Sequence, residues 1–256
     1  MDNCKPAMTP LDANQKLTRK KDNEEATQHP YRELIGCLTY LMLSTRPDIS
    51  IAVNFLSRFQ SGATDENWSH FKRVLRYLQG TKHLCLEYRR NTDADPLVGF
   101  ADADWGSDMD DRRSTSGYVF QVYGSTVSWT TRKQATISLS STEAEYVSLS
   151  QASCEAIWLR NLLTEFGVNL DVPLVIHEDN QSCIHIAEEP RDQKRMKHLD
   201  IRYNFIRECI QNDVIKLQYI PTGDQLADVF TKGLPGPAFL KHRSTLGLRG
   251  GVRNKN

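Results

Sequence analysis

Apolar residues recur every three or four positions in the first part of the chain, which is the spacing of an amphipathic helix. YRELIGCLTYLML, residues 31–43, keeps this period over its whole length. Pro47 is suited to the start of a second helix, PDISIAVNFLSRF, and Gly80 to the end of a third, DENWSHFKRVLRYLQG. The pattern therefore predicts a mainly helical N-terminal part.

Segments of different character bound this helical part. Residues 1–30 are rich in Pro, Asn, Lys and Glu, and they predict a loose polar lead-in. LCLEYRR, residues 84–90, predicts a strand, and the turn-rich NTDAD at 91–95 predicts a domain boundary. We therefore expect residues 31–95 to form a small helical unit with a strand behind it.

After this boundary the pattern changes to alternating apolar and polar residues. LVGFADAD, SGYVFQVYG and STVSWTTRKQ each predict a strand, and Gly124-Ser125 predicts a hairpin between the last two. Ser140 and Glu143 have the S-x-x-E spacing of a capping box. The apolar spacing behind them predicts a long helix that ends near Phe166.

The remaining elements alternate between strands and helices. PLVIHEDN predicts a buried parallel strand, QSCIHIAEE and KHLDIRYNFIRECIQND predict helices, and VIKLQYIPT predicts a further strand. Asp224 is suited to cap a last helix, DQLADVFTKGL, on which it shares a face with Asp228. This order predicts an α/β domain at residues 96–235, a mixed five-stranded sheet flanked by helices. We expect the basic tail, residues 236–256, to be marginally ordered.

The composition is that of an ordinary soluble protein, with 39% hydrophobic and 25% charged residues. Lys+Arg and Asp+Glu both number 32, so the net charge argues neither for nor against a nucleic-acid partner. The N-terminal residues are polar, and the apolar runs are too short to span a bilayer. We therefore expect an intracellular protein, neither secreted nor membrane-bound.

Carboxylates fall at element ends that such a fold brings to one edge of the sheet. Asp102 lies on the core-facing row of its strand, and Asp104 extends the same row as a rival candidate. Glu145 lies over the apolar stripe of its helix. Asp179 stands at the carboxyl end of PLVIHEDN, where α/β sheets bind ligands. Asp228 lies on the last helix without a capping role.

Each carboxylate also has a structural explanation. An Asp at the end of a strand is more often a turn former or a helix cap than a metal ligand. Glu143 is explained by the capping box, and Glu145 by the favourable interaction of a first-turn carboxylate with the helix dipole. Asp228 could pair with Lys232, four residues later. Their joint placement is what favours a site, because like charges at close range cannot all ionise without cations. Two Mg²⁺ ions, with Mn²⁺ as a substitute, would satisfy them and could catalyse phosphodiester hydrolysis.

Five long blocks of the sequence carry a resemblance to a known family. They are GFADADWGSDMDDRRSTSGYVF, VSWTTRKQATISLSSTEAEY, EDNQSCIHIA, KHLDIRYNFIRE and YIPTGDQLADVFTK. Together they resemble the ribonuclease H domain of copia-type retrotransposon Pol polyproteins, over about residues 96–235. YRELIGCLTYLMLSTRPDISIAVNFLSRF and FKRVLRYLQGT are similar to the end of that family's reverse transcriptase, its thumb and connection region.

The resemblance implies a ribonuclease H-like fold and cleavage of the RNA strand of RNA–DNA hybrids. It implies that Asp102, Glu145, Asp179 and Asp228 are the catalytic metal ligands. Cellular and retroviral members often carry a His before the last Asp. YIPTGDQLAD has no such His, and copia-type members also lack it. No Tyr-x-Asp-Asp box occurs, so we expect the reverse transcriptase palm and fingers, and polymerase activity, to be missing. In this context the expected locations are cytoplasmic virus-like particles or the nucleus.

Cationic residues interleaved with aromatic ones predict contacts to nucleic acid. KRMKHLDIRYNFIRE, residues 194–208, could hold phosphates without reading sequence, although a solvated helix face explains it equally well. Further cations lie near the first hairpin. The candidates for these contacts are Lys197, His198, Arg202, Arg112, Arg113 and Lys133.

Two functions of different classes remain open. The first is a metal-dependent endoribonuclease acting on RNA–DNA hybrids, which the full set of four carboxylates favours. The alternative is a non-catalytic nucleic-acid-binding remnant of a truncated retrotransposon, which the missing palm favours. An integrase-type nuclease of the same fold is disfavoured, because its acidic set should end in Glu and this one ends in Asp228.

Overall fold

A computed structural model describes residues 3–13, 25–89, 91–170, 172–189 and 200–251 of the 256-residue chain. These residues divide into two compact units. The first unit comprises the described residues up to Tyr88, together with Asp108–Arg112 and those from Lys232 onward. The second unit comprises Arg89–Ser107 and Arg113–Thr231. Among the described helices, none is both long enough and apolar enough to cross a bilayer.

The first unit contains the three helices that the sequence predicts. They are α1 (Tyr31–Ser44), α2 (Ser50–Ser57) and α3 (Asp65–Thr81), with a 3₁₀ turn at Pro47–Ile49 before α2. At the start of α3 the Thr64 backbone N–H donates to the Asn67 side chain, which completes a capping box.

A buried ion pair holds the turn between α1 and α2. Arg46 donates to both carboxylate oxygens of Asp48, at 2.9 and 2.8 Å, and the Tyr77 hydroxyl donates to the same carboxylate. Asp48 is fully buried, and such a charge is tolerated only when it is paired and hydrogen-bonded. The TRPD segment is therefore a structural element of this unit.

The C-terminal tail is more ordered than the sequence predicted. It forms α8 (Gly236–Thr245) and strand β7 (Leu248–Gly250), and β7 pairs antiparallel with β1 (Leu84–Leu86). Phe239 and Leu248 are buried there. For the described part of the tail, up to residue 251, the expectation of marginal order was wrong. Two apolar residues separated by a basic stretch give no periodic pattern in the sequence, although both are buried by residues that are distant along the chain.

The second unit is built on a five-stranded sheet. Its strands are β2 (Val98–Asp104), β3 (Thr115–Val122), β4 (Ser125–Lys133), β5 (Leu174–Glu178) and β6 (Ile215–Tyr219), and their order in the sheet is β4-β3-β2-β5-β6. The first three strands pair antiparallel, and β2/β5 and β5/β6 pair parallel. Helices α4 (Ser141–Glu165), α5 (Gln181–Glu188), α6 (Asp200–Gln211) and α7 (Asp228–Thr231) accompany the sheet, which confirms the predicted α/β domain with a mixed five-stranded sheet flanked by helices.

The hairpin between β3 and β4 lies where the sequence predicts it. Its two turn residues, Tyr123 and Gly124, have φ angles of 47° and 75°. Two consecutive positive φ angles match the right-handed twist of the flanking strands, which is why glycine is favoured in such a turn. The turn fixes the register of β3, and β3 in turn pairs with the strand that carries Asp102.

The last predicted helix is divided in the structure. A 3₁₀ turn at Thr222–Asp224 is followed by Gln225 in an extended conformation, and α7 begins only at Asp228. Asp224 is exposed and does not share a helix face with Asp228, so that part of the prediction was wrong. The interruption occurs because the Gln225 side chain is buried and hydrogen-bonded to the sheet.

Candidate metal-binding site

Three of the predicted carboxylates meet in the second unit. Asp102, Glu145 and Asp179 each offer an oxygen, and these atoms lie within 4.8 Å of one another. Asp102 and Glu145 are buried, at 1% and 6% exposure, whereas Asp179 is half-buried. They come from β2, the first turns of α4 and the residue after β5, so a single site joins residues far apart in sequence.

The parallel pairing of β2 and β5 brings Asp102 and Asp179 together. The ladder runs from Val98 opposite Val175 to Phe100 opposite His177. Each of the two carboxylates lies two residues beyond the last paired residue of this β2/β5 ladder, at the carboxyl ends of parallel strands, where ligands of α/β sheets bind.

The N-terminus of α4 positions Glu145. The Ser140 hydroxyl accepts a hydrogen bond from the Glu143 backbone N–H at 3.1 Å, as the predicted capping box requires. The Glu143 carboxylate, however, accepts from the backbone N–H of Leu139 at 2.8 Å, one residue before the cap. The cap was therefore predicted correctly but its reciprocal bond was not, and both bonds hold the turn from which Glu145 projects.

Ser148 fixes the position of α4 against the sheet. Its buried hydroxyl donates to the Asp102 backbone oxygen at 2.7 Å and lies 3.2 Å from the Gly117 oxygen. Because Ser148 lies three residues after Glu145 on the same helix face, this contact ties the helix to the strand at the level of the carboxylates.

Asp228, the fourth predicted ligand, lies outside the group of three carboxylates. It is 4% exposed and begins α7, which packs against β2 and β3. Within the described part of the chain, the carboxylates that satisfy the 4.8 Å distance are the other three. Asp228 is connected to them through Thr231, whose hydroxyl donates to Asp102 Oδ2.

Asp104, the rival to Asp102, lies outside the group of three. The register sets Asp104 opposite Thr115, two rungs beyond Asp102 on the same face of β2 and at the end of the strand. It is half-buried, whereas Asp102 is buried. The geometry therefore favours Asp102 as the strand's contribution to the cluster.

A further acidic side chain, that of Glu178, lies close to this group and is not among the residues predicted from the sequence. It is fully buried, and its Oε1 accepts from the Asn180 backbone N–H at 3.0 Å. Burial raises the pKa of this carboxyl well above its usual range, and the charges of Asp102 and Asp179 raise it further. The alternation in β5 could have revealed it, because Leu174 and Ile176 share its buried row.

The buried thiol of Cys183 lies in the same electrostatic environment. Burial raises its pKa well above the usual range, and the charges of Glu178, Glu145 and Asp179 add to the effect. A thiol that stays protonated is a poor metal ligand. The donor set at this site is therefore one of hard carboxylate oxygens.

The predicted nucleic-acid contacts are spread over several elements. Lys133 is half-buried at the end of β4, opposite Thr115, and Arg202 is half-buried on α6. Arg113 is half-buried, while Arg112 is exposed with a φ of 59° in the segment assigned to the first unit. Lys197 and His198 lie outside the described residues, so their predicted contacts stay predictions.

Comparison with known proteins gives relatives over almost the whole chain. No family model matches. A retrovirus-related Pol polyprotein from transposon RE2 of Arabidopsis thaliana is 40% identical over 246 residues, which is 96% of this chain and 17% of that protein. A secreted RxLR effector protein, 161, of Plasmopara viticola is 52% identical over 130 residues, which is 51% of this chain and 91% of that protein.

The chain is also similar to solved structures of ribonucleases H. LC11-RNase H1 in complex with an RNA/DNA hybrid is 16% identical, and the match covers 53% of this chain and 93% of that chain with a TM-score of 0.40. Three curated Pol polyproteins from plant transposons match this chain over 17–19% of their own length. The chain thus spans less than a fifth of these relatives.

Proposed function

The chain belongs to the retrovirus-related Pol polyproteins of copia-type transposons, and from this premise we propose that it cleaves the RNA strand of RNA–DNA hybrids by metal-dependent hydrolysis. One observation carries the proposal: Asp102, Glu145 and Asp179 converge within 4.8 Å at the carboxyl end of parallel strands in a ribonuclease H-like sheet. A cluster of buried carboxylates is costly to the fold, so it indicates a site that is occupied in function.

The residues of the cluster fit divalent magnesium. Mg²⁺ prefers carboxylate oxygens and keeps several waters, and the site offers oxygen donors beside a protonated thiol. We assign Asp102, Glu145 and Asp179 as ligands, with Asp228 as the fourth, and Mn²⁺ as a substitute ion. Two bound ions would supply an activated water and stabilise the leaving oxygen of the phosphodiester.

The chain's own residues prepare this chemistry by holding the carboxylates in place. The Thr231 hydroxyl orients the Asp102 carboxylate, the capped N-terminus of α4 supports the charge of Glu145, and the Glu178–Asn180 bond holds the turn that carries Asp179. Asp179 is the most exposed of the three ligands, so the substrate reaches the cluster from its side.

Binding of the hybrid is assigned to its backbone and its shape. Lys133 lies on the rung that Asp104 and Thr115 also occupy, two rungs from that of Asp102, so it can contact a phosphate near the cleaved bond. Arg113 and Arg202 are assigned to phosphates of the hybrid that lie farther from the cleaved bond. Because an A-like hybrid is recognised through its minor groove and its 2′-hydroxyls, we expect weak sequence preference.

A second function, a non-catalytic nucleic-acid-binding remnant, is favoured by one observation. Asp228, the fourth predicted ligand, is not among the described carboxylates that lie within 4.8 Å of one another. In that case the fold and the basic residues would bind the hybrid, and cleavage would be absent.

A cleavage assay separates the two functions. The 256-residue protein is incubated with a hybrid labelled on its RNA strand, with Mg²⁺ or with a chelator, and hybrid binding is measured in parallel. We expect cutting with Mg²⁺ only, and we expect Asp179→Asn, which keeps the shape and removes the charge, to abolish cutting while binding persists. Full activity of Asp179→Asn would refute the metal mechanism, and binding without cutting by the wild type would establish the remnant.

A further inference from the structure

Gln225 is a fully buried polar side chain between the 3₁₀ turn and α7. The sequence pattern predicts that it lies in the first turn of the last helix, DQLADVFTKGL. A buried amide costs free energy unless its hydrogen bonds are made, so its partners explain why the chain leaves helical geometry at this point.

All three bonds of the Gln225 amide go to the backbone. Its Nε2 donates to the Ala101 oxygen at 2.9 Å and to the His177 oxygen at 3.4 Å. Its Oε1 accepts from the Ala227 backbone N–H at 3.2 Å. One side chain therefore connects β2, β5 and the residue that precedes Asp228.

These bonds lie where β2 and β5 stop pairing. The last rung of the ladder joins Phe100 and His177, and the Gln225 amide bonds to the carbonyl of His177 and to that of Ala101, one residue past this rung. The amide thus takes over from the ladder as the link between the two strands. Ala101 directly precedes Asp102, and His177 lies two residues before Asp179.

We propose that Gln225 is a positioning residue that sets the separation of the strands carrying Asp102 and Asp179 and ties both to Asp228. The proposal rests on the proposed function, in which these carboxylates hold the metal. Gln225 does not contact the reacting atoms in this assignment, and it acts through the backbone on either side of the ligands.

The spacing of the three carboxylates is what a metal site is sensitive to. Ligands must be held within roughly 0.5 Å of the productive geometry, and loss of an outer hydrogen bond typically costs about 10–100-fold in metal affinity or activity. An apolar side chain of the same length would fill the space of Gln225, but it would leave two carbonyls and an N–H without this partner. The strand ends could then move apart or close together.

The test measures metal binding directly, with Gln225→Met as the variant and Gln121→Met as the matched control. Gln121 is also a buried glutamine, whose Nε2 donates to Thr126 Oγ1 at 3.2 Å near the hairpin, away from the carboxylates. Each full-length protein is titrated with Mn²⁺ alone, and free Mn²⁺ is read from its electron paramagnetic resonance signal. Thermal unfolding in chelator is recorded alongside, to separate weaker binding from loss of the fold.

We expect Gln225→Met to bind Mn²⁺ about 10–100-fold more weakly than the wild type. We expect Gln121→Met to bind as the wild type does, even where both variants unfold at a lower temperature. If Gln225→Met does not fold, Gln225→Asn, whose amide is one methylene too short to keep all three bonds, is measured in the same way. Unchanged Mn²⁺ affinity in a folded Gln225 variant would overturn the proposal.

The readout is independent of hybrid cleavage. A wild type that binds Mn²⁺ but does not cut hybrid would refute the proposed nuclease function, and the comparison of the two variants would still decide the role of Gln225. A wild type that binds no Mn²⁺ would overturn both.

Discussion

The Thr231 hydroxyl donates a hydrogen bond to Asp102 Oδ2 and thereby joins α7 to the strand that carries the first carboxylate. The same hydroxyl lies 3.2 Å from the Asp228 backbone oxygen, but its single proton serves only one acceptor at a time, and the carboxylate is the closer. Residues 129 positions apart in sequence are thus joined by a charge-assisted bond, which is stronger than a neutral one.

Replacing Thr231 by Val keeps the β-branched shape and removes the hydroxyl. We expect a loss of about 1.5–3 kcal/mol in the free energy of unfolding, since a bond to a charged group is removed. We also expect hybrid cleavage to need an Mg²⁺ concentration about 10-fold or more higher, because the Asp102 carboxylate loses its orienting partner. Thr231→Ser, which retains the hydroxyl, should recover most of both, as urea unfolding and cleavage against Mg²⁺ concentration will test. Equal behaviour of the Val and Ser variants would mean that the hydroxyl has no positioning role.

Gly117 pairs with Asp102 across the sheet and gives α7 its close approach. A Cβ at this position would lie 2.7 Å from Phe230 Cβ and 2.8 Å from Thr231 Cγ2. We expect Gly117→Ala to cost about 1–3 kcal/mol through overpacking and to weaken cleavage, because α7 carries Asp228.

Gly99→Ala is the matched control for Gly117→Ala. Its Cβ would meet the ring of Phe120, near the other end of the same strand pair. It should destabilise the fold to a similar extent in chemical denaturation while the Mg²⁺ dependence of cleavage stays unchanged. If the two variants alter this dependence equally, crowding of α7 is not what affects the site.

Asp102 and Asp104 are distinguished by parallel amide substitutions. Asp102 belongs to the group of three carboxylates and Asp104 does not, so we expect Asp102→Asn to abolish hybrid cleavage and Asp104→Asn to leave it largely intact. Hybrid binding and circular dichroism of both variants serve as controls for the fold. Loss of cleavage in Asp104→Asn alone would reverse the assignment.

The raised pKa of Glu178 predicts that the stability of the metal-free protein depends on pH. Burial raises the pKa of this carboxyl in the folded state, so the folded protein retains a proton that the unfolded chain releases above a pKa of about 4.3. The contribution of Glu178 to the free energy of unfolding is therefore complete below that value. It is lost as the pH rises toward the folded pKa, by up to about 1.4 kcal/mol per pH unit.

Glu178→Gln removes this titration while retaining an oxygen for the Asn180 N–H. In chelator, its stability advantage over the wild type should grow between pH 4.5 and pH 7 in urea unfolding. The exposed Glu165→Gln, at the end of α4, provides the background. A pH dependence of Glu178→Gln no different from that of Glu165→Gln would show that Glu178 ionises in the folded protein as it does in the unfolded chain.

The sequence by itself determined the elements and their order. Alternation in LVGFADAD and PLVIHEDN and the helical spacing after Ser140 are local signals, because each reflects which face of one element is buried. The same signals set Asp102, Glu145 and Asp179 at element ends, and the order of the elements along the chain predicts a mixed sheet. With the resemblance added, the fold and the converging carboxylates could be stated beforehand.

Tertiary structure alone decided the contacts between distant residues. Gln225 bonds to Ala101 from 124 positions away, and this bond breaks a helix that DQLADVFTKGL predicts on local grounds. The order of the C-terminal tail likewise depends on partners far along the chain. A buried amide or hydroxyl leaves no period in a sequence, because its stability comes from one partner at one distance, and only the folded chain brings that partner near.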